Sequence, residues 1–168
     1  MALNTMMLEE LKQEAELTRK MLQRVPFDNP TWHPHEKSMT IQRLSSHVAE
    51  ISVWMTRILD ADGFDFAQFA TLTPQQRFHA KDTAELLQKF EDMYAQASAT
   101  LGRATDEALL ANWSVIRGGQ TIYTLPRIVA IRKWVFNHAI HHRGQLSVYL
   151  RLNNIPVPGM YGPSADEK

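Results

Sequence analysis

The sequence predicts an all-α protein: a four-helix bundle with long connections and one short β-hairpin before the last helix. Four stretches carry apolar residues at alternating spacings of about three and four, the pattern of a helix face that packs in a bundle. The single β-prone passage lies around Gly118 and Gly119. The 168 residues suit one core of ordinary size. We therefore expect residues 1–168 to form a single domain.

The first helix is predicted from Leu3 to about Arg24. Glutamates lie early in this stretch and Lys20 and Arg24 lie late, which suits the helix dipole. The positions of its apolar face are Met7, Leu11, Ala15, Thr18 and Leu22. Residues 25–37 contain three prolines and show no helical period, so they are predicted to form a loop.

The second and third helices each have a recognisable start. Ser38 offers an N-cap hydroxyl to the second helix, which is expected to end near Gly63. Its core face is Ile41, Leu44, Val48, Ile51, Met55 and Ile58. After a connection with room for a short helical turn, Asp82 and Glu85 resemble a capping box. The third helix then places on one side Leu86, Phe90, Met93, Ala97 and Leu101.

The pattern becomes β-like between Ala111 and Thr124, where two short runs flank the glycine pair and predict a hairpin. Pro126 suits the first turn of a fourth helix that runs to about Asn153. Its predicted core face is Ile128, Ile131, Val135, His138, His142, Gln145, Tyr149 and Leu152. Two histidines and a glutamine thus replace apolar residues in the middle of this face.

Composition excludes several classes of function. Lys plus Arg equals Asp plus Glu at 18 each, so the chain lacks the positive field on which nucleic-acid binding usually relies. There are no cysteines, so any metal must be held by nitrogen and oxygen. Neither a leader pattern nor an apolar run of membrane length is present, which predicts a cytoplasmic protein that does not enter a membrane.

His138 and His142 are the strongest candidates for chemistry. Residues four apart lie one above the other on a helix, so both imidazoles can reach one ion. A zinc-type site with an open position needs a third ligand, for which His47 on the second helix is the candidate. The alternative is a hydrogen-bonded pair of core histidines. His141 is rotated off the line and is assigned to the periphery, and the remaining histidines to the surface: His33, His35 and His79.

Candidate catalytic groups are fewer. Glu50 lies near His47 in helical projection and is either a base or a solvated charge on the helix face. Tyr149 continues the histidine line and is the best candidate among the aromatic residues that can wall a pocket, the others being Trp54, Trp113 and Trp134. The pair is not part of an H-E-x-x-H motif, which disfavours peptidase chemistry.

Three passages resemble the DinB family of damage-inducible proteins, which shares its fold with bacterial thiol-dependent transferases and a mycothiol-dependent maleylpyruvate isomerase. They are HPHEKSMTIQRLSSHVAEI at 33–51, WSVIRGGQTIYT at 113–124 and NHAIHHRGQLSVYLRLNNIPVPGMYGPSADE at 137–167. The resemblance implies a four-helix bundle that holds a divalent metal, usually nickel or zinc, through His47, His138 and His142. It also implies a homodimer, and a C-terminal tail that folds back over the bundle end.

Three functions stay open at this point. The protein is a metal-dependent hydrolase or thiol S-transferase, with a small-molecule substrate and, for transfer, a low-molecular-weight thiol as co-substrate. Alternatively, it is a non-catalytic stress-response bundle that binds a metal and a small ligand. In the third reading the ion only ties the bundle together.

Overall fold

The computed structural model describes residues 2–167, apart from the side chain of Pro74, and most of this part of the chain is helical. Helix α1 spans Leu3–Leu22, and all five positions of its predicted inner face are buried. The Thr18 hydroxyl donates a hydrogen bond to the Glu14 carbonyl at 2.8 Å, which allows this polar residue to lie on the inner face. The first predicted helix is therefore confirmed.

The second predicted helix is divided in two. Helix α2 covers Ile41–Glu50 and helix α3 covers Val53–Leu59, with a turn between them. All six predicted core positions are nevertheless buried. The N-cap is Thr40, whose side chain accepts a hydrogen bond from the backbone of Arg43 at 3.1 Å, so the assignment of the cap to Ser38 was wrong.

Helix α5 spans Thr83–Gly102 and begins as predicted. The Asp82 carboxylate accepts from the Glu85 backbone N–H at 2.8 Å, and the Glu85 carboxylate accepts from the backbone N–H of Lys81 at 2.7 Å. Four of its five predicted inner positions are buried, and Met93 is half-buried. The short elements around it are α4 (Ala67–Ala70), a 3-10 turn (Pro74–Gln76) and α6 (Asp106–Leu110).

A three-stranded sheet replaces the simple hairpin that the sequence predicted. Strand β2, Asn112–Arg117, pairs antiparallel with β3, Gln120–Pro126, across a turn in which Gly118 and Gly119 have φ of 59° and 79°. These positive values favour glycine. Strand β1, Gly63–Asp65, comes from the connection before α5 and pairs parallel with β2. The chain approaches closely there, because a Cβ on Gly63 would lie 2.8 Å from the Ser114 carbonyl oxygen.

The last helical stretch contains an irregularity that moves its core face. It consists of α7 (Arg127–Ile131), a π-helical segment (Arg132–Asn137) and α8 (His138–Leu152). A π turn closes its hydrogen bonds one residue later than an α turn, so the residues beyond it are rotated around the axis. Gln145 and Leu152, predicted to face the core, are exposed, and the buried positions of α8 are Arg143, Leu146, Tyr149 and Leu150.

Arg143 is a charged residue in the core that sequence reasoning overlooked. Its side chain is 2% exposed and donates to the Glu14 carboxylate, to the Thr18 hydroxyl and to the Tyr161 hydroxyl. The C-terminal tail therefore folds back, as predicted, and is held against α1 and α8. A second clamp joins Asp166 to Arg151 through both carboxylate oxygens, at 3.0 and 2.6 Å. No helix within residues 2–167 is both long and apolar enough to cross a bilayer.

Candidate metal centre

The three predicted histidines meet at one point. His47 projects from α2, while His138 and His142 project from the first turns of α8. The Nε2 atoms of His47 and His138 are 3.2 Å apart, and those of His142 and His138 are 2.9 Å apart. One ligand atom from each residue lies within 4.8 Å of the other two, which makes this cluster a candidate metal centre.

The local structure explains this arrangement. His138 and His142 share a helix face because they are one turn apart, and the π-helical segment ends directly before His138. Single π turns are frequent at functional sites, where they alter the direction of side chains. Helix α2 packs against α8, which brings His47 to the pair. All three side chains are half-buried.

The surroundings keep the imidazoles neutral. Burial, joined by the repulsion of positive charge on His142, His138 and Arg43, lowers the pKa of His47 to about 3. Burial also lowers the pKa of His142 to about 4, against an opposing hydrogen bond to Gln145. The pKa of His138 is lowered by burial as well. At neutral pH, three uncharged rings therefore offer lone pairs, the form in which histidine binds a metal.

The hydrogen bond of the outer ring nitrogen of His142 fits this role. The Nδ1 of His142 lies 2.7 Å from Oε1 of Gln145; an amide oxygen only accepts, so this nitrogen carries the proton and Nε2 is left with its lone pair. The Nδ1 of His138 is buried and has no partner of good geometry within residues 2–167, although the nearby Trp134 carbonyl raises the pKa of the ring. A hydrogen-bond partner at the second ring nitrogen, such as Gln145 at His142, is typical of a metal-bound histidine.

The separations of the nitrogens also suit an ion. Tetrahedral zinc with ligands at 2.0–2.1 Å sets neighbouring nitrogens about 3.3 Å apart. The distances of 3.2 and 2.9 Å are close to that value. Without an ion, an N–H at Nε2 of His138 could be donated to only one of its two neighbours, and the other close pair of nitrogens would be left without a full hydrogen bond. The residues present thus fit a divalent metal.

A cavity of about 770 Å³ opens beside the cluster, and His47 and His138 form part of its wall. Aromatic side chains cover one side of it: Trp54, Phe66, Phe69 and Trp134. This volume lies within the range of small-molecule sites. His141 is exposed and also lines the cavity, although it is not a member of the histidine cluster.

The other predicted site residues have different positions. Glu50 lines the cavity, but its carboxylate is paired with the Arg43 guanidinium at 3.4 Å. Tyr149 is buried outside the cavity lining, donates its hydroxyl proton to the Met39 carbonyl at 3.1 Å and meets Trp32 edge to face. Trp113 is fully buried in the core. Of the four aromatic residues proposed as a wall, only Trp54 and Trp134 line the cavity.

Gln145 and the cationic side chains of the cavity were missed as functional candidates. Gln145 was interpreted as a core residue, although it is exposed and bonds to His142. A glutamine three residues after a candidate ligand on the same helix is a signal that could have identified it. The cavity cations lie on separate elements, and the sequence contains no spacing that connects them.

The fold and the cluster together define a helical protein with a candidate three-histidine metal centre. The chain belongs to the DinB family, whose sequence model matches residues 1–168. It is 24% identical over 158 residues to the uncharacterized protein YrdA of Bacillus subtilis (strain 168). The aligned region covers 92% of this chain and 85% of that protein.

Solved structures show the same fold. A DinB-like protein from Bacillus cereus ATCC 10987 superimposes with a TM-score of 0.70 at 18% identity, over 92% of this chain and 95% of the other. A DinB-like protein of Bacillus subtilis, YjoA, gives a TM-score of 0.64 at 17% identity, over 96% and 97% of the two chains. At these identities the likeness concerns the fold alone.

Proposed function

We propose that this protein is a metal-dependent enzyme that transfers a low-molecular-weight thiol to a small electrophilic substrate. One observation carries the proposal: three neutral imidazoles converge, and two of them belong to the wall of a cavity large enough for a substrate. A site that only tied helices together would have no need of this adjoining space.

The three histidines would hold a divalent ion, nickel or zinc, and leave its full charge in place, because neutral imidazole ligands carry no negative charge. Such an ion would lower the pKa of a thiol or a water that reaches it. Gln145 fixes the tautomer of His142 so that Nε2 faces the centre. The aromatic wall excludes water from the substrate.

Thiol transfer is favoured over hydrolysis by the state of Glu50. Its carboxylate is paired with the Arg43 guanidinium, so it is engaged by the protein and not directed at a water or a substrate. A thiol has an ordinary pKa of about 8.5, so the ion alone would suffice to ionise it without a protein base, and the proton would pass to solvent. The sulfur then forms a bond to the electrophilic carbon, whose leaving group departs with its electron pair. Hydrolysis is the second candidate, because Glu50 still lines the cavity and can act as a base if Arg43 moves.

The non-catalytic reading is a metal-bearing protein that binds a ligand without converting it.

We also propose that the helices form a four-helix bundle, which is supported by the packing of α5 against α1, α2 and α3 and of α8 against α1 and α2. A homodimer through α8 is supported by an exposed apolar stripe of Ile140, Val148 and Leu152, at one side of that helix.

The first experiment is elemental analysis of protein purified without chelator and without a metal-binding tag. We expect near one equivalent of a transition metal in the wild type and loss of that metal in His47→Ala and His142→Ala. His79→Ala serves as the matched control, because His79 is exposed and lies outside the cluster. Metal-free wild type, even after reconstitution, would remove the basis of the proposal.

The second experiment separates the three functions. Loaded protein is assayed with 1-chloro-2,4-dinitrobenzene and cysteine for thiol transfer, and with p-nitrophenyl acetate for hydrolysis. Product that depends on the thiol and disappears in His142→Ala supports transfer, while ester cleavage without thiol supports the hydrolase. Ligand-induced thermal stabilisation with neither product supports the binding protein.

A further inference from the structure

The cavity beside the metal centre is strongly cationic in a chain with no net charge. Of the side chains that line it, four are cationic and one is acidic. The acidic group, Glu50, is paired with Arg43. The remaining cations are Arg57, Arg77 and Lys133. Such concentration of one sign of charge in a concave, apolar site attracts anions.

Arg57 is the cation most in need of a partner. It projects from α3 and is half-buried, and within residues 2–167 its guanidinium meets no carboxylate or carbonyl oxygen at hydrogen-bond distance. Its central carbon lies 5.0 Å from the ring centre of Trp54 and 5.4 Å from that of Phe69. Burial lowers its pKa, although an arginine stays charged at neutral pH. An anion in the cavity would supply the acceptors that it lacks.

The wall beside Arg57 is aromatic, and two of its ring pairs are stacked. The rings of Trp54 and Phe66 are stacked at 5.3 Å with an angle of 16°, and those of Trp54 and Trp134 at 6.2 Å with an angle of 30°. A planar apolar molecule can lie against such rings by offset stacking. The same cavity therefore offers a surface for a flat body and a guanidinium for its charged end.

We propose that the cavity selects an organic carboxylate with a flat, apolar body. Arg57 binds the carboxylate group, and the aromatic wall binds the apolar body. A guanidinium matches a carboxylate with two parallel hydrogen bonds. This proposal rests on the proposed function, because it takes the bound carboxylate to be the substrate that reacts at the histidine centre.

The test compares 2-naphthoate with its neutral counterpart 2-naphthamide. Both are titrated by calorimetry into full-length, metal-loaded protein, as wild type, Arg57→Gln, Arg57→Lys and the control Arg117→Gln, an exposed arginine outside the cavity. In the wild type we expect naphthoate to bind about tenfold more tightly than naphthamide, the effect of one charge-assisted interaction. Arg57→Gln should abolish that preference by weakening naphthoate binding more than naphthamide binding. Arg57→Lys should retain part of the preference, and Arg117→Gln should retain all of it.

Equal affinity of the two ligands in the wild type, or equal effects of Arg57→Gln and Arg117→Gln, would overturn the proposal. The metal-free variant His142→Ala tests whether the carboxylate binds the metal instead of Arg57. Naphthoate preference that persists in this variant supports Arg57 as its binding site, and its loss there places the carboxylate on the ion and overturns the proposal. Thermal melting of each variant confirms that it is folded.

These outcomes are separable from the failure of the proposed function. Protein that binds metal and transfers thiol but does not prefer naphthoate would contradict the substrate class alone. Protein that holds no metal would contradict the enzyme, while the comparison of Arg57→Gln with Arg117→Gln would still show whether the cavity selects an aromatic carboxylate.

Discussion

Acid should destabilise the metal-free protein through the buried histidines, and His47 should account for a large part of the effect. The pKa of His47 is about 3 in the folded chain, against an ordinary value of 6.5. Between these values the unfolded chain binds a proton at this ring and the folded chain does not. The free energy of unfolding therefore decreases as the pH falls from about 6.5 towards 3, and no such contribution exists at higher pH.

The magnitude follows from the size of the shift. A pH of 4 lies 2.5 units below the ordinary pKa of 6.5, so the ring is protonated in the unfolded chain, while in the folded chain it is still mostly neutral. At 1.36 kcal/mol per unit this corresponds to about 3 kcal/mol. Because the ring is only half-buried and solvent screens part of the charge, we expect about 2–3 kcal/mol.

The assay is urea unfolding followed by circular dichroism at several pH values from 7 to 4, with a chelator present. His47→Gln lacks the ring, so its free energy of unfolding should fall by about 2–3 kcal/mol less than that of the wild type over this range. His79→Gln controls for the loss of an exposed histidine. Parallel profiles for wild type and His47→Gln would refute the argument that burial keeps His47 neutral.

Three further predictions concern the scaffold. Arg143→Met and Glu14→Gln should each destabilise the protein by about 3 kcal/mol, because each leaves one member of this largely buried ion pair without its opposite charge. The double variant should cost less than their sum in urea unfolding. Truncation after Asn154 removes the hydroxyl of Tyr161 from this network and should lower the melting temperature by several degrees. Gly63→Ala should cost about 1–3 kcal/mol, since its Cβ would lie 2.8 Å from a carbonyl oxygen of the neighbouring strand.

Each of these has a contradicting result. Additive costs in the Arg143 and Glu14 pair would show that the two charges are not coupled. A truncated chain with unchanged melting temperature and metal affinity would show that the tail contributes nothing to the fold. If Gly63→Ala unfolds at the wild-type urea concentration, the parallel pairing of β1 does not require glycine.

The sequence was most informative where one element decided the outcome alone. The inner faces of α1 and of α2 with α3 follow from apolar spacing, because a helix of 3.6 residues per turn leaves little choice of face. The proximity of His138 and His142 follows from the same geometry. The capping of α5 was predicted from Asp82 and Glu85, whose bonds involve only neighbouring residues.

Other features depend on contacts between distant parts of the chain. Apolar spacing alone did not indicate a π-helical segment, so the predicted core face of the last helix wrongly included Gln145 and Leu152. The parallel strand at Gly63 joins a hairpin some fifty residues later, and such pairing leaves no local signature. The burial of Arg143 is explained by partners elsewhere in the chain, which are Glu14 and Thr18 on α1 and Tyr161 in the C-terminal tail.

The metal centre combines both kinds of information. Spacing alone placed two imidazoles on one helix face, but whether they meet a third depends on how α2 packs against α8. The neutrality of the rings and the cationic character of the cavity likewise arise from burial and from side chains on different elements. Helical periodicity is a property of the local chain, whereas desolvation and charge are properties of the space that several packed elements enclose.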